Sequence, residues 1–130
     1  MNIDNDIDKI KQGFAGEKRV RDYLIKNKVQ HMQVDLIIFS KGKYKLFEIK
    51  HQEKYEPPPF EGHGLPIWQV ESRVKFYEEF GIEPFLFVVD KKDGNIYFES
   101  IINLENTEYF DTVRSKRRIY NIKNFKILKE

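Results

Sequence analysis

The sequence predicts a mixed α/β fold, a single domain over residues 1–130 with one central mixed β-sheet flanked by helices. Three observations predict it. Apolar residues recur at helical spacing over residues 8–28, with Phe14, Val20, Leu24 and Ile25 on one stripe. Two apolar runs around Ser40-Lys41-Gly42-Lys43 form a hairpin, 34–39 with 44–50. A second helix, opened by Pro66 and stopped at Gly81, leads into a buried strand PFLFVV. The turn KKDG then returns the chain as NIYFESI, and RIYNIKNFKIL adds a last strand after a helical turn or loop at 103–113. Between hairpin and second helix, residues 51–66 (HQEKYEPPPFEGHGLP) are too rich in proline and glycine for regular structure, so a long loop is expected there.

Composition excludes several kinds of chemistry. The chain has no cysteine, hence no disulfide, thiolate metal site or cysteine nucleophile. Its N-terminus, MNIDNDIDK, is acidic and polar, unlike a signal peptide, and its longest apolar runs, LIIF and FLFVV, are too short to span a bilayer. A cytoplasmic protein with no membrane partner is expected. The net charge is only +2, so any nucleic-acid binding must come from local patches. One such patch is Arg114, Lys116, Arg117 and Arg118, which reads equally as solvated surface.

The hairpin carries charge where apolar residues dominate. A turn of two or four residues sets Phe39 against Tyr44 and, counting outward, Asp35 against Glu48, with Cβ atoms about 5 Å apart. Alternation puts Asp35, Ile37, Phe39, Tyr44, Leu46, Glu48 and Lys50 on one face. The other face, with Val34, Leu36, Ile38, Phe47 and Ile49, is also apolar, so both strands are expected in the sheet interior. Two opposed carboxylates repel, and burial raises the cost. Lys50 neutralises one charge. Two carboxylates beside an ammonium suit Mg²⁺, which prefers oxygen ligands and works on phosphates. The alternative is that the strand ends leave all three groups in water.

Glu17 adds a third carboxylate. It falls in the middle of the first helix's apolar stripe, where a glutamate is rare unless paired or metal-bound. A helix starting at Gly13 or Gly16 would instead make it a first-turn carboxylate. On the second helix, Ile67, Val70, Val74 and Tyr77 form the core stripe. Gln69 and Arg73 lie on an adjacent face, pointing either at the carboxylates or at solvent.

In order, "GEKRV" with Glu17, "QVDLIIF" with Asp35, "FEIK" with Glu48-Ile49-Lys50 and "PIWQVESRVKFY" with Gln69 resemble the PD-(D/E)XK nuclease superfamily. The resemblance covers residues 12–90; Val34 stands where the motif has its proline. Size and layout are most similar to the Holliday-junction-resolving branch, small homodimeric endonucleases. The resemblance implies a restriction-endonuclease-like α-β-β-α-β core and Mg²⁺-dependent hydrolysis of branched DNA, with Mn²⁺ able to substitute. It implies Asp35, Glu48, the Ile49 carbonyl and Glu17 as metal ligands. Lys50 would orient or deprotonate water, and Gln69 would position Lys50 or the phosphate. Duplex, flap or single-stranded DNA are alternative substrates, and a non-catalytic nucleic-acid-binding module is the alternative of another class.

DNA contacts are expected from His51, Lys54, Tyr55 and His63 of the 51–66 loop, and from Arg73, Arg117 and Arg118. His51 and His63 fit no structural zinc pattern. Relief of carboxylate repulsion predicts that Asp35→Asn and Glu48→Gln leave folding intact or slightly more stable.

Overall fold

A computed structural model describes residues 3–28 and 34–130, with side chains inside the first helix described at residue 12 and from residue 15 onward. The chain forms two compact units, Met1–Gln33 and Val34–Glu130. Among the described residues no helix is long and apolar enough to cross a membrane.

The first unit is one helix, α1 (Ile3–Lys26). Lys18 and Asp22, four residues apart, pair at 3.1 Å along its surface. Because α1 starts at Ile3, Glu17 is a mid-helix residue, not a first-turn carboxylate. Its side chain is exposed, as are Val20 and Ile25, while Leu24 is half-buried. The apolar stripe is therefore largely uncovered where described; the side chain of Phe14 lies outside the described residues.

The second unit contains the predicted hairpin, β1 (Leu36–Ser40) and β2 (Lys43–Gln52), then β3 (Gly62–Pro66) and α2 (Ile67–Phe80). Next come β4 (Glu83–Asp90), β5 (Ile96–Ser100), α3 (Ile101–Glu105), β6 (Tyr109–Asp111), β7 (Arg117–Asn121), a 3₁₀ turn and β8 (Lys126–Ile127). A five-stranded mixed sheet runs β1-β2-β4-β5-β8, and a three-stranded antiparallel sheet runs β3-β7-β6. β2 and β4 are parallel, which requires the crossover through α2. Gly81, at φ 70°, ends α2 in the left-handed conformation that glycine adopts at least cost. Hairpin, β3, α2 and the parallel strand β4 follow one another after α1, and the fold is the expected mixed α/β one with a central mixed sheet and helices.

Alternation along β4 buries Leu86 and Val88, which join Leu65, Val70, Tyr97, Ile101, Leu104 and Tyr120 in the core. The opposite face carries a row of half-buried rings, Phe47, Phe87 and Phe98, in mutual contact.

Two expectations need correction. β1 is an edge strand with Leu36, Ile37 and Phe39 exposed, so only β2 lies in the sheet interior. The 51–66 segment is not wholly irregular. β2 continues to Gln52, and Gly62–Pro66 is a strand. Its glycines serve close approach and not a turn: a Cβ on Gly64 would stand 1.8 Å from the Arg118 carbonyl oxygen, and one on Gly62 2.1 Å from that of Tyr120.

Candidate active site at the open end of the hairpin

The hairpin has the predicted register: Phe39 pairs with Tyr44 and Leu36 with Phe47, so the next position outward sets Asp35 against Glu48. β1 begins one residue after Asp35. The Asp35 carboxylate takes over where the ladder stops, its Oδ2 accepting a 2.8 Å hydrogen bond from the Ile49 amide. In an extended strand one residue's amide and carbonyl project from the same edge, so the Ile49 carbonyl lies on that side too.

Glu48 is 2% exposed, and its Oε1 accepts from Nε of Arg73, itself 1% exposed, at 2.5 Å. Arg73 comes from α2, one turn beyond Gln69 and beside core Val70 and Val74. Burial pushes the Glu48 carboxyl up from its ordinary value, Arg73 opposes this, and Asp35 adds to it. Lys50 is half-buried, and burial pushes its ammonium down; Glu48 and Asp35 oppose the shift, while Arg117 and Arg73 reinforce it.

Arg117 extends the cluster from β7. One terminal nitrogen of Arg117 donates to Gln52 Oε1 and to the Gly64 carbonyl, both at 3.0 Å. Its Nε, and Oε1 of Gln69, are buried without a hydrogen-bond partner among the described residues. A buried polar atom left unmatched is costly in a purely structural site.

The donors suit a hard divalent cation. Asp35 and Glu48 each engage one carboxylate oxygen within the protein, leaving the other for a ligand, and Mg²⁺ needs only one or two carboxylates besides water and phosphate. Among the described residues no group of three or more His, Cys, Asp or Glu gathers for a metal. Three cations, Lys50, Arg73 and Arg117, stand with the two carboxylates, so the site also attracts anions.

A second cluster lies two residues further along the same strands, where Gln52 pairs with Asp90. His63, fully buried, bonds Asp90 Oδ2 through Nε2 at 2.8 Å, while Asp90 Oδ1 accepts from the Lys92 and Asp93 amides at 2.8 and 3.2 Å. Burial pushes His63 down despite Asp90, and its Nδ1 faces Gln52 at 3.4 Å. Lys54 pairs with Asp90 at 3.5 Å and with Asp93, which also accepts from Tyr97 at 2.6 Å.

This arrangement corrects most of the expected DNA contacts. His63 and Arg73 are buried and Lys54 is held by Asp90 and Asp93. Arg118 is held by Glu105 at 2.7 Å, by Asp111 at 2.9 Å and by the Tyr109 ring. Tyr55 is half-buried in a bridge to Gly62; His51 is exposed on β2, and Arg117 turns toward Lys50. Glu17 lies on α1, in the first unit. The buried Glu48–Arg73 pair also argues against the expectation that Glu48→Gln is harmless to folding: glutamine keeps an oxygen for the guanidinium Nε but removes the anion that faces a buried cation. Sequence reasoning missed Asp90. Its only signal was an acidic residue ending an apolar strand and opening a KKDG turn.

No protein-family model matches the sequence, and no curated protein matches it. Among solved structures, Hjc of Archaeoglobus fulgidus, a Holliday junction resolvase from an archaeal hyperthermophile, is similar at 16% identity, with a TM-score of 0.48 over 85% of this chain and 87% of that one.

Proposed function

We propose that this chain is a metal-dependent endonuclease hydrolysing DNA phosphodiester bonds, with branched DNA as its substrate and a homodimer as its working unit. The observation that carries the reading is the convergence of Asp35, Glu48 and Lys50 at one hairpin end, with Asp35 fixed on the Ile49 amide. Mg²⁺, or Mn²⁺ in its place, would be held by Asp35, Glu48 and the Ile49 carbonyl. Bound there, it supplies a water of lowered pKa and offsets charge on the phosphate.

The chain's own residues have separate tasks. Burial raises the Glu48 carboxyl above its ordinary value, and Arg73 opposes that shift and fixes the carboxylate's orientation through its Nε. Lys50, with its affinity for the proton reduced, exchanges one at Nζ with the attacking water or the departing oxygen. Arg117 would donate its unmatched Nε–H to the phosphate, and Gln69, whose unmatched Oε1 can only accept, would position Lys50. Symmetric cuts across a junction call for two sites related by a twofold, hence the dimer.

One observation favours a second reading. Glu48 is already matched by Arg73, and cations outnumber carboxylates, as in an anion-binding module without catalysis. Incubation with labelled four-way junction, duplex and single strand, in Mg²⁺ or EDTA, separates the two. Paired Mg²⁺-dependent nicks that vanish in Lys50→Ala support the nuclease; binding without cutting in Mg²⁺ or Mn²⁺ supports the module.

A further inference from the structure

The basic run near the C-terminus divides by direction. Arg117 and Arg118 turn inward to partners, whereas Arg114 and Lys116 are exposed on the β6–β7 turn and have no ionic partner among the described residues. The turn is braced at its base: Thr112 donates its amide to the Arg117 carbonyl at 2.8 Å, and Thr112 Oγ1 accepts from the Arg117 amide at 3.0 Å. Thr112 and Ser115 hydroxyls meet at 2.6 Å across it. Lys116 sits at φ 49°, a strained conformation for lysine held by those contacts. At the tip Val113 is 90% exposed, which serves no core.

This turn is fastened to the start of α2. The Ile67 amide donates to the Lys116 carbonyl at 3.0 Å, and Pro66 pairs with Arg117. The next residue is Trp68, 64% exposed and the only tryptophan in the chain. An exposed indole thus lies on a segment joined by a backbone hydrogen bond to the turn that carries an apolar tip and two cations without an ionic partner among the described residues. Arg117 connects it to Lys50 in the candidate site.

We infer that the 112–116 turn and Trp68 form a grip for single-stranded nucleic acid, Arg114 and Lys116 binding backbone phosphates and Trp68 stacking on an unpaired base. Cations beside an exposed aromatic are what a strand with splayed bases requires, since phosphates follow the charge and any base offers a face to the ring. The inference rests on the nucleic-acid part of the proposed function and names the surface that would hold an unpaired arm.

The test is binding of a short oligothymidylate and of a blunt duplex in EDTA, read by Trp68 emission and by anisotropy of labelled DNA. Saturating single strand should quench Trp68, and duplex should not. Arg114→Gln with Lys116→Gln should weaken single-strand binding about ten-fold at low salt and lower the salt slope by about 1.4. Trp68→Ala should lose about ten-fold on single strand alone, and Trp68→Phe should retain most of it. These side chains are exposed, so circular dichroism should match the parent. Unchanged Trp68 emission at saturation, absence of oligonucleotide binding, or parental affinity in the double variant overturns the grip. Because EDTA stops cleavage, the two readings fail separately. Quenched binding by a protein that never cuts removes the nuclease; cutting by one whose Trp68 is indifferent to DNA removes the grip.

Discussion

Two charge clusters stand on the same pair of strands and are built to opposite rules. Around Asp90, both carboxylate oxygens are engaged, the histidine is buried against one of them and the nearby lysine has two acidic partners. At the hairpin end, Asp35 is exposed, Lys50 is crowded by other cations, and the buried Nε of Arg117 has no hydrogen-bond partner among the described residues. A folded chain tolerates unmatched buried groups mainly where something else is to be bound. The closed cluster reads as structure and the open one as chemistry.

The largest expected effect breaks the open cluster alone. Asp35→Asn keeps an oxygen for the Ile49 amide but loses the charge, so cleavage in Mg²⁺ should fall by about 10²–10³-fold. Stability in urea should move by under about 1 kcal/mol, since Asp35 is exposed. Loss of stability in place of activity would place Asp35 with the structural cluster. Next comes Glu48→Gln, which belongs to both kinds of region. Taking the anion away from the buried Arg73 charge should cost about 3 kcal/mol of stability as well as activity. Adding Arg73→Met should recover much of the stability and none of the cleavage, and equilibrium unfolding of the four variants gives the coupling directly. Asp90→Asn should show the converse: about 2 kcal/mol lost from the closed network, with the cleavage rate per folded molecule unchanged.

The parts legible in the sequence were those governed by short spacing. The register of β1 against β2 follows from one turn, and α2 from Pro66, its apolar stripe and Gly81. What spacing could not reveal depended on distant partners. Lys54 meets Asp93 across 39 positions, and Arg118 faces Asp111 only once β6 and β7 pair, so both looked available to DNA. Gly62 and Gly64 read as a loop because glycine marks turns far more often than the close approach of two strands. Glu48 was recognised as needing compensation. The helical face of Arg73 is compatible with both the carboxylates and solvent, and its burial against Glu48 emerges only when α2 packs on the sheet.

The pH response gives a milder separation of the clusters. Burial holds the folded-state pKa of His63 below its ordinary value, so the unfolded chain binds more protons and stability should fall as pH drops below about 6.5. One proton limits the slope to about 1.4 kcal/mol per pH unit. His63→Gln should flatten that part of the curve. Asp90, held low by the amides of Lys92 and Asp93 and by His63 against the opposing effect of burial, should keep its acid limb at lower pH.

The smallest effect concerns Lys50. Its proton affinity is lowered first by burial and then by Arg117 and Arg73, against the pull of Glu48 and Asp35. Removing one of those cations while keeping the residue polar, as in Arg117→Gln, should shift the Lys50 titration upward, toward that of a free lysine. In ¹³C-dimethylated protein the Lys50 methyl resonance reports this without any cleavage, and Arg118→Gln is the control from a pair already closed by Glu105 and Asp111. A titration that moves with Arg117 and not with Arg118 means that charge from the second sheet reaches the hairpin end and tunes its one mobile proton. Equal responses would mean that Lys50 senses only the general charge of the surface, and that the open cluster is less distinct from its surroundings than its geometry implies.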